Sequence, residues 1–343
     1  KSQPYSHCDM IDTLFLCPKS VSLTDLEEAY EKITYEGVVK QYQRIFEKLY
    51  IESLIFGNID SKNTIQPYYS LIDKYLVKSI KNKYPLSELE ADKQGCLKLE
   101  PNKNYCVAFK CPNEEDKNSC ISSTYLYKVD NVRDFAPMNL FAHLCNAPCF
   151  DQLRTKEQLG YIVWSFNDMV KGFMTFRILI QSNCANPKKL NCRIEEFLKT
   201  FRDVVEKMDD DTFALNKKSV INNLLEKPKT IHEQNSRYWR EITSSRYQFQ
   251  RRENLAKEIE KVSKEDVLKF YDEFIVQNSE ARTKFTVHCY GNQHPMEVNQ
   301  EADADKESCF EDEKVVNWNI SDVADVRQKC GYYPFPYNDS SKL

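Results

Sequence analysis

Residues 149–182 read CFDQLRTKEQLGYIVWSFNDMVKGFMTFRILIQS. The stretch opens like a helix, with Phe150, Leu153 and Gln158 set among charges, then passes Gly160 into two runs of alternating apolar and polar residues, 161–166 and 173–182. That order predicts a helix, a turn and a hairpin. Arg154 and Tyr161 flank the junction seven residues apart, a separation that returns a helix to nearly the same face. A guanidinium and a phenol are both hydrogen-bond donors able to grip a carbonyl oxygen. On pattern alone such a pair reads equally as half-buried packing at a helix-to-strand turn.

The full string decides between these readings. L-R-T-K-E-Q-L-G-Y-I-V, residues 153–163, resembles the signature in the C-terminal half of the insulysins, members of the pitrilysin group of inverted-motif zinc metallopeptidases. The resemblance implies that Arg154 and Tyr161 reach into a zinc site carried by a separate N-terminal half and contact the substrate backbone near the scissile bond. It is strongest over residues 130–241, moderate over 48–58, and thin after Gly291.

Outward from this motif the chain divides. Upstream, residues 10–17 (MIDTLFLC) read as a short strand, and Thr24 with Glu27 as a capping box ahead of Leu26, Ala29, Tyr30 and Ile33. Val38, Tyr42, Ile45, Phe46 and Leu49 share one helical face. Residues 51–59 (IESLIFGNI) read as a buried strand, and Ile65 to Leu76 as another helix. The polar stretch 78–94, broken by Pro85, reads as a linker. IESLIFGN looks like the strand that closes the third of four homologous insulysin domains. The expected organisation is therefore residues 1–90 as the rear part of a third domain, with its missing strands upstream, and 91–343 as a fourth domain with an acidic loop and a C-terminal tail.

Downstream of the linker, 105–110 and 121–129 predict strands, and Phe135, Met138, Phe141, Ala142 and Cys145 predict a helix. Asn186 and Pro187 are an N-cap and a first-turn proline before Leu190, Ile194, Phe197, Phe201 and Val204. Further helices are expected at 211–225, 231–244, 254–261 and 264–276. A late strand alternates about Phe285, Val287 and Cys289. Strands, then helices, then a returning strand predict an α+β fold, a mainly antiparallel sheet with helices on one face. Residues 296–313, acidic and aperiodic, read as a solvated loop.

Composition sets the outer bounds. With 41% hydrophobic and 29% charged residues over 343 positions the chain is an ordinary globular sequence. A net charge of −4 argues against nucleic acid, and no apolar run reaches membrane-spanning length. Lys1 opens a segment with neither initiator Met nor signal-peptide core, so a piece of a longer protein is expected. The 13 cysteines lack any C-x-x-C pair and read as mostly reduced thiols, the competing reading being a secreted protein with some disulfides.

Zinc peptidases need an activated water, a base and an oxyanion donor. None of His7, His143, His232, His288 and His294 completes H-x-x-E-H, and His232-Glu233 fails H-E-x-x-H because position 236 is Ser236. No zinc site is therefore expected in this chain, and the resemblance implies that zinc is bound by the N-terminal half of the parent. The resemblance implies a metalloendopeptidase whose C-terminal half encloses peptide substrates and is inactive without its N-terminal partner; the cytoplasm is the default location. The alternative is a non-catalytic peptide-binding or scaffold subunit of the same fold.

Residues 224–230 (LLEKPKT) resemble the basic segment of insulysins that binds polyanions such as nucleotide phosphates. Lys227 and Lys229 match, while Thr230 replaces the last lysine. The plainer reading is a Lys-Pro loop with solvated charges, and a homo-oligomer is a further partner left open. The closing Ser341-Lys342-Leu343 matches a peroxisomal address, the alternative to the cytosol.

Overall fold

The computed structural model describes residues 2–46, 51–77, 94–296 and 315–336. In chain order these form α1 (Pro4–Leu16), α2 (Leu23–Glu31), α3 (Tyr35–Ile45), α4 (Ser61–Ile72), β1 (Gln94–Leu97), β2 (Lys103–Lys110), β3 (Ser119–Val129) and α5 (Val132–Cys149). β4 (Ile162–Val170), β5 (Phe173–Ser182), α6 (Pro187–Glu206), α7 (Asp210–Leu225), α8 (Ile231–Thr243), α9 (Arg251–Lys261) and α10 (Lys264–Phe274) follow. β6 (Thr283–Tyr290), β7 (Val315–Trp318), α11 (Val323–Cys330) and β8 (Tyr332–Pro334) complete the order. The chain gathers into two compact units, one from residues 1–20, 95–226 and 250–336, the other from 21–94 and 227–249. The expected linker at 78–94, all but Gln94 of it, nearly all of the acidic loop and the terminal Ser-Lys-Leu lie outside the described residues.

The first unit is built on a six-stranded sheet ordered β4-β5-β3-β6-β2-β7. The α+β class stands, and β4, β5, β3 and β6 pair antiparallel as expected. The remaining pairs differ: β2 runs parallel to both β6 and β7. Helices cover both faces rather than one. On one side α5, α6 and α10 pack Phe141, Phe201 and Phe270 against Ile121, Phe176 and Ile178. On the other, Phe15 of α1 and Val326 of α11 meet Phe285, Val287 and Leu179. That second cover explains why β6, which alternates in sequence, is buried at all eight positions.

Residues 10–16 belong to a helix, not a strand, and Cys17 is its extended C-cap. A short apolar run does not distinguish the two. Pro4 sits in the first turn, and Cys8, Ile11, Asp12 and Phe15 then fall on one buried face. Asp12 is held there by Arg177, Nη2 to Oδ2 2.6 Å, and by Ser122, whose hydroxyl donates at 2.6 Å. The tail also departs from expectation. Tyr332–Pro334 pairs with β1, and Trp318 of β7 stacks on Phe15 at 5.6 Å.

α6 starts where Asn186 and Pro187 predict, the Asn186 side chain accepting from the Lys189 amide at 2.8 Å. Its apolar stripe runs Leu190, Ile194, Phe197, Phe201 and then Val205, because Val204 is half exposed. Beneath that stripe lies an ionic cluster. Glu195 accepts from Tyr125 at 2.8 Å, from Arg282 at 2.7 Å and from Lys284, which also donates to Asn191 at 2.6 Å. Among the described residues eleven cysteines are free thiols, eight of them buried. Cys192 is instead disulfide-bonded, and burial pushes the Cys111 thiol up to about 11.

In the second unit α2 is capped by Ser22, whose hydroxyl accepts from the Asp25 amide, not by Thr24. α2 and α3 bury no residue, and Tyr30, Ile33, Val38, Tyr42 and Ile45 stand open to solvent. Residues 51–59 form no strand, with Ile51, Ile55, Phe56 and Ile59 exposed. A strand needs a neighbour to take its backbone groups, and the described part of this unit supplies none. Around α8, Phe56 meets Tyr238 edge-on at 5.5 Å and Glu241 pairs with Arg246 at 2.8 Å. Among the described residues no helix is long and apolar enough to cross a membrane.

Candidate functional site

α5 does not stop at Cys149 but widens into a π-type segment, Phe150–Lys156, which carries Arg154. Leu153, fully buried, anchors the segment. The helix then ends on a left-handed residue, Gln158 at φ +55°. Leu159 N–H returns to Leu153 O at 3.0 Å, a seven-to-one bond, one residue wider than the usual six-to-one helix closure because the last turn is π-type. Glu157, next to that bend, takes a bidentate grip from Arg193 of α6 (2.7 and 2.9 Å) and a third bond from Gln152 at 2.8 Å. The Arg193 guanidinium holds the Glu157 carboxyl below the usual carboxylate range.

Gly160 then lets the chain pass tightly against β5. A Cβ there would lie 2.0 Å from the Gln181 carbonyl oxygen and 2.9 Å from its carbon, both backbone atoms. Gly160→Ala is expected to cost about 1–3 kcal/mol through forced displacement of one strand. A urea melt of the variant measures it, and an unchanged midpoint would show that the turn yields freely.

The turn delivers Tyr161 to the surface, 84% exposed, just before β4 begins. Arg154 lies beside it. The Arg154 guanidinium carbon is 5.3 Å from the Tyr161 ring centroid and 4.9 Å from that of Phe150, and its Nε donates to Tyr161 O at 3.4 Å. The two side chains are therefore neighbours, but not by sharing a helical face. The helix ends between them, and the capped turn brings them together. Among the described residues no carboxylate pairs with Arg154, which is half-buried between the Phe150 and Tyr161 rings, while Tyr161 itself is exposed. Sequence reading missed Glu157 and Arg193, which hold this turn, and placed Gln158 within the helix rather than at its left-handed end. The 36-residue separation of Glu157 and Arg193 leaves no local signal.

Lys227 and Lys229 lie in the second unit, both exposed, on the short connection between α7 and α8. The Lys229 backbone amide donates to Glu233 at 2.9 Å, and Glu233 also accepts from Arg237 at 2.6 Å. The histidines are dispersed. His288 is buried in β6, where burial lowers it to about 3, and His7 is buried on α1. Among the described residues no group of three or more His, Cys, Asp or Glu side chains is placed to hold a metal ion.

A family model described as the PQQ synthase PqqF-like C-terminal lobe domain 4 matches residues 140–239. Insulin-degrading enzyme of Drosophila melanogaster is 31% identical over 97% of this chain and 33% of its own length. The A-factor-processing enzyme of Saccharomyces cerevisiae is 31% identical over 87% of the chain and 28% of its own. The chain thus spans about a third of the curated relatives it matches. In fold it superposes on crystalline pitrilysin with a TM-score of 0.79 at 18% identity, covering 98% of this chain and 33% of that one. Sequence over nearly the whole chain and fold agree: it resembles the C-terminal half of insulin-degrading enzyme, within the pitrilysin-type metallopeptidases.

Proposed function

We propose that this chain is the zinc-lacking C-terminal half of a metalloendopeptidase, closing over peptide substrates and presenting Arg154 and Tyr161 to the scissile region. The observation that carries the reading is the adjacent pair of donors, Arg154 and the exposed Tyr161, on a turn locked by Gly160, the Gln158 cap and the Glu157–Arg193 bridge. A donor held rigidly contributes more to an oxyanion than a mobile one, because no reorganisation is needed when charge develops. Zinc, bound by the other half, would activate the water. Arg154 would orient a substrate carbonyl, and the Tyr161 hydroxyl would donate to the oxygen of the bond being cut. Two halves that must close make opening and closing a natural slow step.

The domain reading follows the same line. In that proposal, the open apolar faces of α2 and α3 would be covered by a sheet supplied from elsewhere in the parent. A polyanion contact at Lys227 and Lys229 extends the proposal, in a loop where both side chains face solvent.

The test is cleavage of a quenched fluorescent peptide by this chain alone, and by this chain with zinc and a complementary N-terminal half. Cleavage is expected only in the second mixture. Zinc-dependent turnover by the chain alone would overturn the assignment. Peptide binding by the pair without cleavage would favour the scaffold reading.

A further inference from the structure

A second concavity lies in the sheet unit among elements that the peptidase reading does not use. It encloses about 330 Å3. Its walls are the turn bearing Leu99 and Pro101, the end of β3, the start of β5, the Glu280–Thr283 approach to β6, and Tyr333 of β8. Its origin is local. Leu126 and Tyr127, consecutive in β3, point to opposite faces of the sheet, and the register of β3 against β5 slips just beyond them, between Leu126 and Val129. Tyr127 packs edge-on against Phe274 at 4.5 Å, while Leu126 is buried on the α1 side. The Asn102 amide, donating to Arg282 O at 2.7 Å, ties the two bounding turns together.

The lining has a definite chemistry. Phe173 and Tyr333 stack with centroids 4.6 Å apart and planes at 25°, giving one wall a flat aromatic surface. Glu280 is the one charged residue in the lining. It is exposed and pairs with no cation among the described residues. The lysines that flank these strands are engaged elsewhere, Lys103 with Glu100 at 2.6 Å and Lys128 with Asp134 at 3.3 Å. An aromatic face attracts a cation through its quadrupole, and an unpaired carboxylate at the rim adds a charge-assisted hydrogen bond. The volume, at the low end for ligand pockets, suits one long side chain rather than a cofactor.

We propose that this pocket binds the side chain of an arginine in a basic peptide, its stem against Leu99 and Leu126, its guanidinium between the Phe173–Tyr333 face and Glu280. The site stands on the sheet unit alone and is independent of any role of Arg154 and Tyr161. Arginine fits better than lysine because its planar, weakly hydrated group both stacks and forks onto a carboxylate.

N-acetyl-arginine amide titrated into the full chain, followed by saturation-transfer NMR, tests this against N-acetyl-citrulline amide, its neutral isostere. The arginine compound is expected to bind about fivefold or more tightly, with the difference shrinking in high salt. Glu280→Gln should remove that difference, and Ala281→Trp should fill the pocket and abolish binding. Both positions are exposed, so neither variant should disturb folding. Equal binding of citrulline, binding retained by Ala281→Trp, or no binding of the arginine compound would each overturn the proposal.

Discussion

Tyr161→Phe, assayed with zinc and the complementary N-terminal half, is expected to lower turnover about 100- to 1000-fold, or about 2.7–4 kcal/mol in the barrier. Only the hydroxyl is removed. Tyr161 is 84% exposed, so no packing is lost with it. Its ring remains to meet the Arg154 guanidinium at the present 5.3 Å. Peptide binding should therefore hold while turnover falls, the signature of an interaction made in the transition state alone. Arg154 variants should behave differently, weakening substrate binding together with turnover, since a guanidinium on a ground-state carbonyl acts in both states. Turnover unaltered by Tyr161→Phe would make the turn architectural and remove the phenol from the chemistry.

The second large effect concerns stability. Glu195 is 6% exposed and is faced by Lys284 at 1% and Arg282 at 3%. Removing the carboxylate by Glu195→Ala leaves two buried cations without the anion that both contact, a change expected to cost about 3–5 kcal/mol. Urea denaturation of the variant checks it. Burial alone would raise the Glu195 carboxyl, but Lys284 and Arg282 reverse that and hold it below the usual range. A depressed carboxyl means that the native state binds fewer protons than the unfolded chain. Its contribution is present above the unfolded carboxylate value of about 4.3 and fades as pH falls through the lower folded value. Glu195→Gln should accordingly flatten the acid side of the stability profile. A wild-type slope retained in Glu195→Gln would assign the acid sensitivity elsewhere.

Short-range chemistry was the legible part of this molecule. Asn186 and Pro187 announce α6, the alternation of 173–182 announces β5, and Gly160 marks the turn, each within one or two turns of chain. What escaped depends on distant partners. Residues 10–17 read as a strand until Arg177 and Ser122 show what Asp12 faces on a helix. Residues 51–59 have strand composition but no neighbour among the described residues. Placing β2 between two parallel strands needs residues far along the chain. At the site, the residue types came from a motif resemblance. The clamp that holds them, Glu157 on Arg193, becomes visible only once α5 and α6 are side by side.

The placement of β2 also orders events in time. Its two neighbours are β6, which starts at Thr283, and β7, which starts at Val315, so β2 completes neither ladder in this sheet until the chain beyond them has emerged. The β3–β5 and β4–β5 hairpin region, within residues 119–182, can form early from nearby contacts. Closing the sheet is thus a late, high-contact-order step, slow and exposed to mispairing at the waiting edge of β2. A ribosome-bound or truncated chain ending before residue 283 should carry that edge unsatisfied, as a substrate for chaperones rather than a finished domain.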